Sequence, residues 1–579
     1  MYDLFHLTRL HTIKLNYMNK KIFIALSFCT VLLFGTSCSK QLTQLTSDNF
    51  TVNPSPLEVD GEKVPATITG QIPAKYFQKN AEVIVTPYLV YGDKEKAGTP
   101  LMLQGEKVRG NNEVVPYETG ATVTLPVVYE YEPEMMKSNL WLDFSVKQGN
   151  KTYVLPRVKV AEGVLATATL ATATTVTPAI TTDNFQKIIS ERIEADIMFL
   201  INQTNVRADQ INTAAMKEFN GAVKEANDDA RREIKEINIS SYASPEGGVK
   251  LNTRIAEGRE KNTKKYLDKA LKDNNIEETG IYTSDFTAQD WEGFQRLVAE
   301  SNIQDKELIL SVLSMYKDPE EREREIRNLS SVFDQLAQQI LPQLRYSRLS
   351  ATIEIIGKSD KEIQDAYAND PKTLSVEELL YAATLTDDNS KKAEIYSTAA
   401  SVYPNDYRTF NNLGMCQFTD GDYEAAERNF NKAAELNPNS KEVQMNQGLI
   451  SLLNKDYENA NEKFGNAAGV EELNDALGVY YINQGEINTA KTSMKGSATN
   501  NAALAQILTK DYNAAKNTLV SIEKPDATTY YLMAILGART NNEQMVNSNL
   551  RQAVKLDKNF ATRAMNDKEF SRFNLSNVL

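Results

Sequence analysis

Histidine and cysteine are almost absent from this sequence of 579 residues. It contains two histidines, His6 and His11, and three cysteines. Both histidines lie in a segment that is predicted below to be removed, so the mature chain is expected to have no imidazole. Zinc sites of the Cys/His type, and catalysis by serine–histidine or cysteine–histidine pairs, are therefore excluded.

Motifs for nucleophiles and nucleotides are also missing. The sequence has neither a GxSxG elbow nor a glycine-rich phosphate loop. Cys416 lies in an apolar helical pattern and is expected to pack as a small core residue. We therefore predict that the protein is not an enzyme and that it holds no metal and no cofactor.

Basic residues are outnumbered by acidic ones, 64 Lys and Arg against 77 Asp and Glu. The formal net charge is −13, and it becomes −16 when residues 1–37, with four Lys and Arg and one Asp, are left out. A body this acidic has no electrostatic footprint for nucleic acid. The length exceeds that of a single core, so the chain is expected to divide into three or four domains.

The N-terminus has the pattern of a secretory signal. Lys20 and Lys21 precede an apolar run, residues 22–34, that is too short for a helix crossing the roughly 30 Å core of a bilayer. The segment that ends at Cys38 resembles a bacterial lipobox. The resemblance implies cleavage after residue 37 and acylation of the Cys38 thiol, with a plain signal peptide as the alternative. No acidic run resembling the surface-export signal of Bacteroidetes lipoproteins follows Cys38, and the resemblance therefore implies an anchor on the periplasmic face of the outer membrane.

Residues 48–160 alternate between apolar and polar side chains in short runs. Runs such as EVIVTPYLVYG and ATVTLPVVYEYE are separated by Pro, Gly and Asn. This pattern predicts an antiparallel β-sandwich of immunoglobulin-like size. Trp141 is expected in its core, and stacking on a carbohydrate is the alternative. The Ala/Thr-rich residues 161–181 are predicted to be a linker or an extended crossing segment.

Strands and helices alternate between residues 182 and 358. Apolar strands are predicted around 197–201, 234–241 and 349–356, and helices at about 210–233 and 249–267. This order predicts an α/β sandwich. A helical insertion at about 286–341 interrupts it, and Trp291 is expected to pack among the helices of that insertion.

The stretch ISSYASPEGGVKLNTRIAEGREKNTKKYL, which begins at Ile239, resembles the peptidoglycan-binding motif of OmpA-like domains. The resemblance covers about residues 182–358, and the insertion resembles a variant common in Bacteroidetes. It implies a ligand-binding corner between a strand and a helix. The candidate residues of this corner are Tyr242, Ser244, Glu246, Asn252 and Arg259.

The corner departs from the family at one position. In the family an Asp fifteen residues before the Arg holds the amino end of diaminopimelate, and the Arg holds its carboxylate. Here Arg259 is kept, Ser244 stands at the Asp position, and Glu246 is the candidate replacement. Losing one charged hydrogen bond is expected to weaken binding about tenfold or more. The corner is interpreted as a peptidoglycan site, as a groove for a protein partner, or as a turn with a purely structural role.

Helical patterns recur between residues 373 and 573. The segment YRTFNNLGMCQFTDGDYEAAERNFNKAAELNPNS, residues 407–440, resembles a tetratricopeptide repeat of about 34 residues. The next copy keeps Gly448, Tyr457, Ala460 and Phe464 at the same offsets. Five to six helix pairs are expected to form an all-α superhelix whose concave face binds an extended peptide or a partner domain.

Together these features favour a multidomain, non-enzymatic scaffold. In this hypothesis an acylated Cys38 anchors the chain, the OmpA-like domain contacts peptidoglycan or a wall-associated protein, and the repeats recruit a protein partner. Accessory components of secretion or fimbrial machinery combine such domains, which is an analogy at the level of folds. The alternative is a cell-wall or glycan-acting enzyme that uses the β-sandwich to bind carbohydrate.

Overall fold

The computed structural model describes residues 45–76, 78–276, 282–303, 305–328, 330–576 and 578. The predicted signal, residues 1–37, and the predicted lipidation site Cys38 lie outside these residues. The chain divides into two compact units. The first unit comprises the chain up to Thr177 together with the residues from Gly448 onward, and the second comprises Pro178–Gln447.

Two sheets form the β-rich part of the first unit. One has the strand order β1-β3-β8, and the other has the order β10-β9-β4-β6-β7, with β5 paired to β4. Neighbouring strands in them are antiparallel except β6 and β7, and β2 pairs in parallel with β11 as a separate ladder. The strands are β1 (Phe50–Asn53), β2 (Leu57–Glu58), β3 (Lys63–Ile72), β4 (Ala81–Tyr91), β5 (Lys94–Ala97), β6 (Leu101–Gly105), β7 (Glu113–Val115), β8 (Ala121–Glu130), β9 (Ser138–Gln148), β10 (Lys151–Glu162) and β11 (Val164–Leu165).

Alternating side chains build the core between these two sheets. Every second residue of β8 is buried, from Val123 to Tyr129, and β9 buries Leu140, Leu142 and Phe144 in the same way. The ring of Phe50 in β1 lies 6.0 Å from that of Phe144 in β9, so the sheets face each other across this core. The predicted β-rich N-terminal region is confirmed.

The expectation that Trp141 lies in this core is wrong. Its neighbours Leu140 and Leu142 are almost completely buried. Because side chains alternate along a strand, Trp141 points to the opposite side of the sheet. There it is the cross-strand neighbour of Tyr88 in β4, and both aromatic side chains are partly exposed.

Helices share the core of the first unit with the strands. Val164 and Ala168 belong to the same apolar cluster as Leu504 and Phe570. Thr167 Oγ1 also donates a hydrogen bond of 2.5 Å to the Glu569 carboxylate. The helices are Tyr457–Asn466, Leu473–Asn483, Ile487–Ser493, Asn500–Leu508, Tyr512–Ser521, Ala527–Arg539, Glu543–Leu556 and Asn559–Asn566.

A four-stranded sheet organises the start of the second unit. Its strands are β12 (Ile188–Met198), β13 (Arg232–Tyr242), β14 (Tyr282–Thr287) and β15 (Tyr346–Ile356), in the order β12-β15-β13-β14. The pair β13 and β14 is parallel, and the other pairs are antiparallel. The first predicted strand lies nearer the N-terminus than expected, because Leu200 and Ile201 are exposed beyond its end.

Two amphipathic helices cover one face of this sheet. Ala214–Asp228 contributes Met216, Phe219 and Val223 to the core, and Val249–Asp273 contributes Leu267 and Leu271. The apolar side chains recur at helical spacing, so each helix buries one face against the strands. The short helix Ala208–Ile211 precedes the first of them.

The insertion between β14 and β15 has an apolar core of its own. It consists of the helices Trp291–Glu300, Lys306–Met315, Pro319–Asn328 and Ser330–Gln339. Phe294, Val298, Ile309 and Leu336 are buried in this core, and Trp291 packs against it. Helices are therefore present where the sequence predicts the insertion.

Antiparallel helix pairs follow the sheet in the second unit. Gly414 in the first helix of one pair faces Phe430 in the second, and a Cβ at Gly414 would lie 2.8 Å from the Phe430 ring. The glycine therefore lets the two helices approach closely. The helices are Asp360–Asn369, Val376–Thr384, Asn389–Val402, Tyr407–Thr419 and Tyr423–Leu436, and Lys441–Leu453 continues into the first unit.

The dipeptide Asp-Tyr recurs at the start of the second helix in several of the helix pairs. Asp422, Asp456 and Asp511 each accept a hydrogen bond from the backbone N–H three residues later. This N-cap satisfies a backbone donor that has no partner within the helix. The C-terminal all-α helical repeat region is thus confirmed.

Candidate functional site

The corner between β13 and the helix Val249–Asp273 is tied together by Asn252. This side chain is 3% exposed, and its Nδ2 donates to the carbonyls of Ser244 at 2.9 Å and Gly247 at 2.8 Å. A Cβ at Gly247 would lie 2.8 Å from Asn252 Oδ1. A glycine is needed here because the amide approaches the backbone closely. Asn252, a predicted ligand-binding residue, thus closes the turn itself.

Arg259 is buried beneath the same turn, with 1% of the residue exposed. Its guanidinium donates to the carbonyls of Tyr242 at 2.6 Å, Gln203 at 3.1 Å and Leu200 at 3.3 Å. It also lies 5.0 Å from the centre of the Phe199 ring. Burial, and then the nearby Arg345 cation, lower the pKa of Arg259 to about 10. The arginine therefore fixes the loop after β12 to the end of β13.

Glu246 is engaged by a second arginine. Its two carboxylate oxygens accept from Arg345 Nε at 3.0 Å and Nη2 at 2.9 Å, and Oε1 also accepts from Ser244 Oγ at 2.8 Å. The Glu246 and Arg345 side chains are only 18% and 12% exposed. A ligand ammonium would compete with this guanidinium for the carboxylate. The predicted replacement for the family's Asp is thus already paired.

Tyr242, at the end of β13, stacks on Tyr346 with ring centres 4.6 Å apart. The Tyr346 hydroxyl donates to Asp290 at 3.3 Å, and Asp290 also accepts from the Gly293 N–H at 2.8 Å as the N-cap of its helix. Burial raises the pKa of Asp290, against the lowering effect of these hydrogen bonds. Burial also raises the pKa of Tyr242 and of Tyr346.

The helical insertion closes over the turn. Arg327 Nη2 donates to the Glu246 carbonyl, and Gln289 Nε2 donates to the Gly247 carbonyl at 2.9 Å. A space of only about 10 Å³ separates Pro245 and Glu246 from Phe294 and the other apolar side chains of the insertion. One water molecule needs a volume of about this size. The structure thus brings the five predicted corner residues together, and the insertion covers the turn at Pro245, Glu246 and Gly247.

Parallel pairing explains how the insertion reaches the turn. Tyr242, the last residue of β13, is in register with Thr287, the last residue of β14. The two strands therefore end at the same edge of the sheet. The turn leaves β13 and the insertion leaves β14 at that edge. The sequence predicts an insertion that begins near 286, but it does not predict the pairing of β13 with β14. The position of the insertion over the turn therefore does not follow from the sequence.

A second site of interest is the strap, defined here as residues 178–183. It lies against the repeat helices Tyr407–Thr419 and Lys441–Leu453. Asn446 Oδ1 accepts from the Ala179 N–H at 2.7 Å, and its Nδ2 donates to the Ala179 carbonyl at 2.7 Å. Asn412 Oδ1 likewise accepts from the Thr181 N–H at 2.9 Å, and its Nδ2 donates to the Thr181 carbonyl at 3.0 Å. Each asparagine therefore holds both backbone polar atoms of one strap residue.

Further contacts extend this arrangement along the strap. Asn411 Nδ2 donates to the Ala179 carbonyl at 3.1 Å, and Arg408 Nη1 donates to the Asp183 carbonyl at 3.0 Å. Arg408 is itself paired with Asp406 at 2.7 Å and with Glu377 at 2.9 Å. The strap and these repeat helices therefore share one hydrogen-bonded network.

The first unit contains a similar pair. Asn501 Oδ1 accepts from the Thr172 N–H at 3.2 Å, and its Nδ2 donates to the Thr172 carbonyl at 3.0 Å. The sequence analysis predicted an extended segment here but missed these asparagines. One signal for them exists, because Asn412 and Asn446 both stand two residues before a helix glycine and 34 residues apart.

The part of the chain that the structure describes has features that bear on metal binding, thiol chemistry and membrane insertion. There, no cluster of three or more Asp, Glu, Cys or His is placed to hold a metal ion. Cys416 is completely buried, and burial raises the pKa of its thiol to about 12. Among the same residues, no helix has both the length and the apolar character needed to cross a membrane.

Residues 407–440 match the family model of the tetratricopeptide repeat. A tetratricopeptide repeat protein from Parabacteroides merdae is similar to 36% of this chain over 90% of its own, with 14% identity and a TM-score of 0.29. Pseudomonas aeruginosa pilF is similar to 37% of this chain over 98% of its own, with 16% identity and a TM-score of 0.27. Yeast Tom70 is similar to 57% of this chain over 77% of its own, with 12% identity and a TM-score of 0.25.

The matched repeat agrees with the helix pairs and with the Gly414 contact described above. No match was found among the curated proteins. The class that the fold defines is a protein that contains tetratricopeptide repeats, and such repeats support a role as a protein-interaction scaffold.

Proposed function

We propose that this protein is a non-enzymatic scaffold, anchored in the outer membrane through an acylated Cys38, that links the cell envelope to a protein partner of its repeats. The observation that carries the proposal is the way in which Asn412 and Asn446 hold an extended main chain. Repeat helices that bind the backbone of the strap have the chemistry to bind a partner in the same extended form.

The corner around Arg259 supports the envelope side of the proposal. Its turn, Asn252 and Arg259 match the OmpA-like motif, so peptidoglycan or a wall-associated protein is the proposed contact. In the structure Arg259 is buried and Glu246 is paired with Arg345. Binding at this corner therefore requires the insertion to move away from Pro245. A partner protein that packs on the outside of the insertion needs no such movement.

Lipid labelling and fractionation test the anchor. The wild-type chain should incorporate a labelled fatty acid and sediment with outer membranes, because several acyl chains anchor a protein stably. Cys38→Ala should lose both properties. Cys416→Ala is the matched control, since that thiol is buried in the repeat core. Unlabelled wild-type protein, or equal labelling of Cys38→Ala, would refute the anchor.

Sedimentation with purified peptidoglycan tests the corner. Ser244→Asp restores the family's acidic residue and should raise the affinity for peptidoglycan by about tenfold, the worth of one charged hydrogen bond, provided that hydrogen exchange shows that the turn tolerates its carboxylate beside Glu246. Arg259→Ala should reduce binding, provided that its hydrogen-exchange pattern shows an intact sheet. If neither wild type nor Ser244→Asp sediments, wall binding at this corner is wrong and a protein contact takes its place.

A second candidate function is supported by one observation. Trp141 and Tyr88 lie side by side on the outer face of the six-stranded sheet, where aromatic rings are able to stack on a sugar. This arrangement favours a carbohydrate-binding module, as in the alternative of a glycan-acting enzyme. Incubation with cell-wall fragments distinguishes the two, because product release would contradict the scaffold and binding lost in Trp141→Ala would indicate a glycan contact.

A further inference from the structure

We propose that the strap occupies a peptide-binding site on the repeats of the second unit, and that release of the strap opens this site to an extended segment of another protein with small side chains. The inference rests on the proposed scaffold function. It adds the chemical class of the partner segment and the element that keeps the site closed.

The asparagines at this site bind backbone atoms of the strap. Asn446 and Asn412 each bind the N–H and the C=O of a single residue, Ala179 and Thr181. The Asn446 pair uses only backbone atoms of the strap, and at the Asn412 pair the Thr181 hydroxyl adds one side-chain contact. Any segment that is extended at these two positions, and that has a free N–H at both, offers the same four groups. Proline is therefore excluded at both positions.

From Ala179 to Thr182 the strap's side chains alternate between inward and outward directions, and Pro178 before them is also buried. Ala179 and Thr181 are 1% and 2% exposed, whereas Ile180 between them is 42% exposed. Successive side chains of an extended chain point to opposite sides, so the site restricts the size of every second residue. Thr181 Oγ1 donates to Asn412 Oδ1 at 2.7 Å. The expected partner sequence has a small residue, a free choice, and then Thr or Ser.

The asparagines are held in position by one another. Asn446 Nδ2 donates to Asn411 Oδ1 at 2.9 Å, and Asn411 Nδ2 donates to Asn412 Oδ1 at 3.2 Å. All three residues are at most 1% exposed. A network of this kind is preorganised, so an incoming chain pays little to order it. It also requires a polar backbone in the groove, since buried amides without partners are strongly unfavourable.

The covalent tether explains why the site is closed. A segment that belongs to the same chain as its site rebinds intramolecularly, and a free peptide must exceed its effective concentration to displace it. A free peptide at micromolar concentration therefore competes poorly with the strap. The Arg408 bond to the Asp183 carbonyl holds the far end of the strap in addition. Release of the strap is thus the step that controls access to the repeats.

The test uses the full-length chain and a fluorescent peptide with the sequence of residues 177–184, TPAITTDN. The strap variant Ala179→Pro/Thr181→Pro removes both N–H donors but leaves every repeat helix unchanged. Ile180→Pro is the matched control, because Ile180 is exposed and its neighbours on both sides keep their N–H groups. Fluorescence anisotropy should show at least tenfold tighter peptide binding by the strap variant than by wild type or by the control.

Two additional variants keep the test decisive. Adding Asn412→Ala to the strap variant should abolish peptide binding, since one complete backbone pair is lost. Thr181→Pro alone should show the same direction of change if the double variant does not fold. The proposal is overturned if the folded strap variant binds no peptide, or if Asn412→Ala leaves the binding unchanged. Failure of Cys38→Ala to alter fractionation would instead refute the anchor and leave this result unaffected.

Discussion

Asn412 binds Thr181 through both ends of its amide, with its Oδ1 2.9 Å from the Thr181 nitrogen and its Nδ2 3.0 Å from the Thr181 oxygen. The two residues are 231 positions apart in the chain. The pair therefore joins the segment before the α/β sheet to a repeat helix that follows it. All of these atoms lie in the buried part of the second unit.

Replacing this asparagine should destabilise the second unit. Asn412→Ala leaves the Thr181 N–H and C=O buried without these partners, which is expected to lower the free energy of unfolding by about 2–4 kcal/mol. Hydrogen exchange of the helix Tyr407–Thr419 measures the loss. Asn431→Ala, at an exposed asparagine of the next helix, should change stability by no more than about 0.5 kcal/mol. Equal effects of the two variants would contradict this account of the pair.

The glycines of the repeats allow a second comparison. Gly414→Ala places a Cβ 2.8 Å from the Phe430 ring, and the overpacking should destabilise the helix pair by about 1–3 kcal/mol. Gly465→Ala, by contrast, meets nothing within 4 Å. It should stabilise its helix by up to about 1 kcal/mol, because alanine has the better helix propensity.

Hydrogen exchange of the helices around each glycine gives the measurement for this comparison. Protection should fall in Gly414→Ala and rise slightly in Gly465→Ala. A loss of protection of similar size in both variants would mean that the cost comes from the helix backbone rather than from the contact with Phe430.

Local patterns were sufficient to predict much of this architecture. Period-two alternation in residues 121–130 corresponds to β8, whose every second residue is buried. The spacing of Gly414 and Phe430 predicts a close helix crossing, and the glycine does contact that ring. Such signals depend on neighbours in sequence, so a single sequence carries them.

Features that depend on distant partners could not be predicted. Strand β14 is polar and mostly exposed, so its pairing with β13 leaves no hydrophobic pattern. Arg259 was interpreted as a ligand-binding cation, but its bonds to Leu200 and Gln203 follow from how the loop after β12 folds back. Trp141 was expected inside because it is large and aromatic, whereas its place in the alternation decides its direction.

The pair of Glu246 and Arg345 should matter for stability. Glu246→Gln removes the counter-charge of an arginine that is 12% exposed, and loss of one partner of a largely buried pair should destabilise the corner by about 2–4 kcal/mol. Hydrogen exchange at the start of the helix Val249–Asp273 measures this change. Asp228→Asn breaks the exposed pair with Lys224 and should change stability far less, because solvent screens exposed ion pairs. A small effect at Glu246 would indicate that Arg345 finds another partner or reaches water.

Asp290 gives the insertion a pH-dependent stability. Burial raises the pKa of this carboxyl above its ordinary value of 3.8, so the native state binds its proton more tightly than the unfolded state. Stability from this group is therefore largest at low pH and is lost as the pH rises through the native pKa. At neutral pH the buried carboxylate lowers the free energy of unfolding.

Asp290→Asn should remove this pH dependence. An amide at this position still accepts from the Gly293 N–H as an N-cap, and its Nδ2 is able to donate to the Tyr346 hydroxyl. The variant should be more stable than wild type at pH 7, and the difference should shrink as the pH falls toward 4. Urea unfolding followed by Trp291 fluorescence, in a Trp141→Phe background, measures it near the site. Glu300→Gln, an exposed change at the other end of the same helix, should leave the profile as it is. A pH-independent gain in Asp290→Asn would show that better packing, and not relief of a buried charge, stabilises the variant.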